Sequence, residues 1–343
     1  MNLDERKARL LRAVVHEYIH TAEPVPVGSK SLADRYSLGV SAATIRNELA
    51  ALEEQGYLSH PHTSAGRVPT DRGYRFYVDA LSGVGELARA QEETIARFFE
   101  GTADLEETLQ RTSVLLSSLT HYTAMVSPPG LDRSRLRHIE LVGLGRHVIM
   151  LVLIVDSGRV EKRLVELAEE VATEDLEDLR RQLNERLVGE RLSRAELVLD
   201  HMAGEVPTQR RALFATVAAA IGQVVGDQTT ERVWLGGQAN IAGPYAFDGI
   251  ETIRQVYEAL EQQVLVLRLL QAALGKDKVS VVIGSENSVE GMEACSLVTS
   301  AYLAGDASGS IGVLGPTRMD YLRTMAAVQA VARYLGDAFE GNG

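Results

Sequence analysis

The chain has 343 residues, with 35 Lys and Arg against 47 Asp and Glu, for a net charge of −12. That length suits two to three domains, each large enough to bury its own core, and the composition is that of a globular protein. The longest aliphatic run, Val148 to Val155, suits a buried strand and is far too short to span a bilayer. Met1 to Arg6 lead into an amphipathic helix rather than an apolar signal segment, so a cytoplasmic location is expected. Cys295 is the one cysteine, which excludes an intrachain disulfide and a cysteine-based zinc cage and reads as a buried structural thiol.

The first predicted helix runs from about Asp4 to Thr21, with Leu10, Leu11, Val14 and Tyr18 on one face. Inside it, His16-Glu17-Tyr18-Ile19-His20 matches H-E-x-x-H, the spacing that sets two zinc ligands on one helical side. The apolar face rotates both histidines toward solvent. The longer metzincin pattern fails as well, because Glu23 replaces its glycine and Pro26 its third histidine. A zinc metallopeptidase stays as an alternative, with no cofactor or metal expected on the main reading.

A short helix from Ser29 to Tyr36, a turn at Gly39, and a second helix from about 42 to 55 follow. Ser41 is the natural N-cap of that second helix and Gly56 its C′ residue. Ile45, Leu49 and Leu52 share the face that must point at a core, so Ala43, Thr44, Asn47, Ala50 and Ala51 lie opposite, with Arg46 on the flank. A face of small side chains carrying one amide and one guanidinium can approach base edges, Arg suiting guanine and Asn suiting adenine. Two short extended pieces from Tyr57 to Thr70 then frame a polar loop, a hairpin wing. Its His62, Thr63, Ser64 and Arg67 are placed to meet phosphates or the minor groove. The candidate DNA-binding set is therefore Ser41, Ala43, Thr44, Arg46, Asn47, Ala50, His62, Thr63, Ser64 and Arg67. A further helix from Asp71 to about Leu81, with Tyr74, Tyr77, Val78 and Leu81 on one face, closes a winged helix-turn-helix domain over residues 1–82. Residues 1–75 carry a net charge of +1 and the remainder −13, so the acidity lies outside this module. Modest non-specific DNA affinity follows, with tight binding requiring a dimer on two half-sites.

Beyond it, residues 86–119 read as helix, usable as linker and dimer contact over 83–120. A strand pair is expected from His138 to Val155, hinged at Gly143 and Gly145, with another strand after Gly158. Residues 166–221 are mainly amphipathic helix, with Leu176, Leu179, Leu183 and Leu187 at helical spacing. Strands are expected at 278–283, 295–303 and 309–314 before a closing helix from about Asp320 to Leu335, an order that fits a small sensor-type α+β domain. Gly312 to Arg318 lack the Gly-Lys-Ser/Thr ending of a phosphate loop, and no nucleophile, base and orienter set is present, so no enzyme activity is expected.

Four segments carry a resemblance: Ser41 to Leu49, Pro61 to Thr70, Gly73-Tyr74-Arg75, and Gly312 to Tyr321. They resemble the HrcA family of bacterial heat-inducible transcription repressors, specifically at the wing and near the C-terminus and weakly in the acidic middle. The resemblance implies a homodimer bound to the CIRCE inverted-repeat operator upstream of chaperonin and chaperone operons, kept active by the GroE chaperonin. It also implies a winged-helix domain, a discontinuous GAF-like domain (121–165 and 230–343) and an inserted dimerisation domain (166–229). A one-component regulator whose sensor domain binds a metabolite is the second alternative.

Overall fold

The structure is a computed structural model, and it describes residues 3–21, 23–61, 66–81, 87–100, 104–131, 133–226, 232–243, 247, 249–273 and 278–340. The N-terminal head contains α1 (Glu5–His20), α2 (Ser29–Arg35), α3 (Ala42–Glu54), β1 (Leu58–Ser59), β2 (Val68–Pro69) and α4 (Asp71–Asp79). Three of its four helices start where a short polar side chain accepts an otherwise orphaned N–H: Asp4 from Lys7, Ser41 from Thr44 and Thr70 from Gly73. At the other end of α3, Tyr57 N–H bonds Leu52 O at 2.9 Å and Gly56 N–H bonds Glu53 O at 2.8 Å. That pattern needs a left-handed residue at position 56, and Gly56 supplies it at φ 76°.

After α5 (Arg89–Phe99) and α6 (Leu105–Thr120) comes β3 (Thr123–Val126), the first strand of a five-stranded antiparallel sheet. Its order is β7-β3-β10-β9-β8, with β7 (Trp234–Gly236), β8 (Ser280–Ile283), β9 (Cys295–Ala304) and β10 (Ala307–Pro316). Helices cover both faces. Ala124, Val126, Val298, Ile311 and Val313 share a core with α6 and α12 (Tyr321–Glu340), whereas Met125, Leu297 and Leu314 share another with α10 (Ile250–Glu261) and α11 (Gln263–Ala273). Alternation along each strand therefore feeds two apolar layers.

Between β3 and β7 the chain builds a second unit: β4 (Leu136–Gly143), β5 (Val148–Val155) and β6 (Val160–Glu166) form a separate antiparallel sheet, followed by α7 (Thr173–Leu187), α8 (Ala195–Ala203) and α9 (Arg211–Gly226). The sequence reading groups 121–165 with 230–343 in one domain; within the first stretch β3 belongs to the five-stranded sheet, whereas β4 to β6 form a sheet of their own. Their inward residues Ile139, Leu141, Ile149, Leu151, Leu153 and Val165 pack on Leu176, Leu179, Leu183 and Leu187 of α7 and on α9. Asn184 pins α7 to β4 by accepting from Ile139 N–H at 2.9 Å and donating to Ile139 O at 2.8 Å. The 86–119 segment is helical as expected, in two helices, and its Ile95, Leu105, Leu109 and Leu116 are buried within this chain. The strands β3 and β7 and the helices α10 and α11 had no sequence expectation. The mixed α+β class itself holds, and no helix among the described residues is long and apolar enough to cross a membrane.

The head rests directly on the five-stranded sheet and α12, and its core is continuous with theirs. Arg75 of α4 donates from Nε to Glu286 Oε1 at 2.8 Å and from Nη2 to Glu286 Oε2 and to Val281 O, the last at 2.7 Å. Burial opposes the charge on Glu286, but the Arg75 hydrogen bond and the Ile283 N–H outweigh it and hold the carboxyl below its ordinary range. On the far side, Asp306 in the β9–β10 turn accepts from Arg135 at 2.8 Å and Arg191 at 3.3 Å, tying the second unit to the sheet.

Asn184→Leu should leave Ile139 N–H and C=O without these partners in a buried site. The expected loss is about 1–3 kcal/mol, read as a lower urea midpoint with an unchanged far-UV spectrum in the folded baseline.

Candidate nucleic-acid interface

The outward side of α3 follows from what its other side buries. Ile45, Glu48, Leu49 and Leu52 are buried, which leaves Ser41, Ala43, Arg46 and Asn47 exposed and Thr44, Ala50 and Ala51 partly exposed. The structure thus brings together on one face all six of the α3 residues expected at a DNA contact. Among the described residues neither Arg46 nor Asn47 has a partner in the chain, so both side chains are available to a ligand. The first turn of α3 carries no acidic residue, and the Ser41 hydroxyl lies 3.2 Å from Thr44 N and 3.0 Å from Thr44 Oγ1. Positive helix-dipole potential is therefore not cancelled at the end that would meet phosphates.

Acidic residues of α3 sit in its C-terminal half, and two of them are committed internally. Glu48 is buried and ion-paired with Arg6 of α1. Glu53 meets His60 Nδ1 from beyond β1 and forms an ion pair with the Arg67 guanidinium, whose Nε lies 2.7 Å away, so one carboxylate holds both arms of the hairpin. Sequence reasoning missed this. Glu48 was findable, since a carboxylate at i+3 from Ile45 and i−4 from Leu52 lies on the apolar side and needs a cation. Glu53 was not, because its partners depend on the hairpin register.

That register pairs Leu58 with Pro69 and Ser59 with Val68. Arg67 is further fixed by two main-chain bonds with Val27, at 2.8 and 2.9 Å, and its side chain is only 22% exposed. Arg67 therefore sits at the root of the hairpin on Glu53 rather than on an open surface. His62, Thr63 and Ser64 lie outside the described residues. Arg72 braces the same corner from α4, donating to Gln55 O at 2.8 Å with its guanidinium 4.3 Å from the Tyr57 ring centroid.

His16 and His20 are exposed, as their helical phase predicts, and their rings stack at 4.2 Å. Each commits one ring nitrogen within the head: His16 Nδ1 to Tyr36 Oη and His20 Nδ1 to His16 O, both at 2.9 Å. Burial, and then the neighbouring His20, push His16 below its ordinary pKa. Among the described residues no group of three or more His, Cys, Asp or Glu side chains is placed to hold a metal. Cys295 is buried at the start of β9, and burial raises its thiol to about 12, so it is an inert core residue.

A family model described as the HrcA protein C-terminal domain matches residues 106–325. The heat-inducible transcription repressor HrcA of Streptomyces avermitilis is 45% identical over 97% of this chain and 98% of its own length. The chain belongs to the HrcA family. HrcA repressors of Thermobifida fusca and Acidothermus cellulolyticus match at 45% and 46% identity over 99% and 97% of the chain, and 98% of their own lengths, so the likeness includes the head. A crystal structure of a hypothetical protein superposes with a TM-score of 0.66 at 24% identity, both chains being covered in full, and shows a shared fold. HrcA proteins are transcription repressors and not enzymes, which removes the peptidase alternative raised by His16 and His20.

Within this HrcA chain, Glu53→Ala should free Arg67 and His60 together. Faster amide exchange at residues 58–60 and 66–68, with protection of 45–52 retained, is the expected result; unchanged exchange at the hairpin would show that Glu53 does not hold it.

Proposed function

We propose that the chain is a homodimeric repressor of heat-shock operons whose head is a winged helix-turn-helix reading an inverted-repeat operator of the CIRCE type. The observation that carries this reading is the outward face of α3, where small residues surround an Arg46 and Asn47 that have no partner among the described residues. Such a face can sit in a major groove, with Asn47 on adenine, Arg46 on guanine and Ser41, Ala43, Thr44 and Ala50 close to base edges or phosphates. His62, Thr63 and Ser64, outside the described residues, are proposed to add contacts to the DNA backbone. Arg67 would add a phosphate contact only by sharing itself with Glu53.

The five-stranded sheet with its flanking helices is the GAF-like part of this proposal, and the β4–β6 sheet with α7 to α9 is the inserted dimerisation part. One face of that sheet is covered by its helices. The other carries Val142 on β4, Val148, Met150, Val152 and Ile154 on β5, and Val160 and Leu164 on β6, all fully or partly exposed. His138, Glu140, Lys162 and Glu166 rim the patch. An open apolar sheet face with a charged rim matches what a twofold interface between like copies requires. Dimerisation makes the second DNA contact intramolecular, which a head of net charge +1 needs in order to bind tightly. Release on heating and assistance by the GroE chaperonin are the family's implied regulation, carried here as part of the same proposal, as is a cytoplasmic location.

Asn47→Ala and Arg46→Ala should each cost about 1–3 kcal/mol of operator binding with much smaller losses on random DNA, measured by fluorescence anisotropy. Equal losses on both DNAs would place these side chains on the backbone instead.

Leu164→Asp, at a side chain 66% exposed, should give a monomer by sedimentation. Its affinity for the full operator should fall by at least about tenfold while half-site affinity is kept. A stable dimer would move the interface elsewhere.

A further inference from the structure

Two helices of the head, not one, are fastened to the body. On α4, Asp71 Oδ2 accepts from Ser285 N–H at 2.8 Å, and one turn later Arg75 holds Glu286 and Val281 O. The turn is shaped for this seat, since Gly284 lies at φ 52° and a Cβ there would stand 2.3 Å from the Asp71 carboxylate. Glu286 is itself anchored to the turn by accepting from Ile283 N–H at 2.9 Å. Between these polar contacts, the Tyr74 ring packs 6.0 Å from that of the fully buried Tyr321. The second fastening is at the end of α1. Arg318 donates to Thr21 O at 3.0 Å with its guanidinium 5.8 Å from the Tyr18 ring centroid, and His20 Nε2 stands 3.8 Å from Asp320.

One attachment point permits rotation about itself; two on separate helices do not. In a dimer whose halves are joined through the body, the distance and angle between the two α3 helices are then a property of the α1 and α4 contacts.

We propose that Arg75 and Glu286, with Asp71, Tyr74 and Arg318, are positioning residues that lock the head to the five-stranded sheet and so set the half-site spacing the repressor accepts. The inference rests on the dimeric DNA-binding reading above. None of these residues touches DNA in it. Their effect is on the second binding event: a locked pair of heads presents itself at high effective concentration to one spacing, whereas heads held only by the covalent connection spread over many. The contacts also account for two sequence segments that the DNA face does not use, Gly73-Tyr74-Arg75 and Pro316 to Tyr321, which meet at this junction.

The test uses the full chain and an operator duplex selected by the wild-type protein from a random-sequence pool. Affinities are measured for that duplex, for a version with 5 bp inserted at its centre, about half a helical turn, and for a single half-site. The wild type should prefer the selected spacing by at least about tenfold over the insert. Arg75→Ala and Glu286→Ala should bind the half-site within about twofold of wild type yet lose most of that preference, and Arg75→Lys, which keeps a charge and one donor for Glu286, should recover part of it. Sedimentation and thermal melts establish that each variant is folded and dimeric; a variant that is not is replaced by Glu286→Gln, which keeps the side-chain volume. Variants that retain the full spacing preference overturn the proposal, as do variants that lose half-site and full-site binding equally. A wild type that selects no inverted repeat overturns the dimeric reading itself, and is thereby distinguished from failure of the positioning role.

Discussion

Tyr321 is the side chain on which three parts of the molecule depend. Its hydroxyl bonds Ser296 Oγ at 2.8 Å on β9 and Thr317 O at 2.5 Å in the turn before α12, while its ring faces Tyr74 of the head. It is fully buried, and burial drives its pKa far above the ordinary tyrosine value, so the hydroxyl stays a neutral hydrogen-bonding group. A buried hydroxyl that lost these partners would carry the full desolvation cost, so its hydrogen bonds tie the start of α12 to the start of β9 beneath the seat of α4. The Asp71, Arg75 and Arg318 contacts surround that apolar centre. Their individual worth at a partly exposed junction is modest, but they fix direction, which an apolar contact alone does poorly.

Charge is distributed in keeping with this arrangement. The head is nearly neutral, its carboxylates Glu17, Glu48 and Glu53 being paired with Arg35, Arg6 and the His60–Arg67 pair. That leaves the outward face of α3 without a nearby uncompensated anion from its own N-terminal turns. The negative charge lies in the body, outside the head; part of it is offset internally, as on α7, where Asp175 and Asp178 share Arg210. A polyanion approaching the molecule is repelled from the body and admitted at the head, so weak long-range electrostatics orients encounter even where it adds little affinity.

The second unit shows how the same alternation can serve two ends. On β5, every second residue enters the core beneath α7 and α9, yet Val148, Met150, Val152 and Ile154 on the other side are also apolar. An eight-residue run of aliphatic side chains is what a strand buried on both sides looks like, and within one chain only one side is covered. In the five-stranded sheet, by contrast, β10 is covered on both faces by the chain's own helices, Ile311 and Val313 entering one core and Leu314 the other.

Local features were legible in the sequence because their causes are local. The cap at Ser41, the break at Gly56, the core face of Ile45, Leu49 and Leu52 and the outward phase of His16 and His20 each depend on residues within a turn or two. The outward placement of the α3 residues was therefore readable, as was the burial of Cys295. What needed the tertiary structure was every question of partnership. The apolar run at 148–155 announces a strand but not its sheet, since hydrophobic period specifies a face and not which surface will cover it. Arg67 reads as a phosphate ligand by type and position, and only the hairpin register against α3 puts Glu53 within 2.7 Å of it. Likewise Arg75 and Glu286 are 211 residues apart, and nothing near either one indicates the other. Periodicity and capping are written in short-range sequence; which charges meet is decided by how the chain closes on itself.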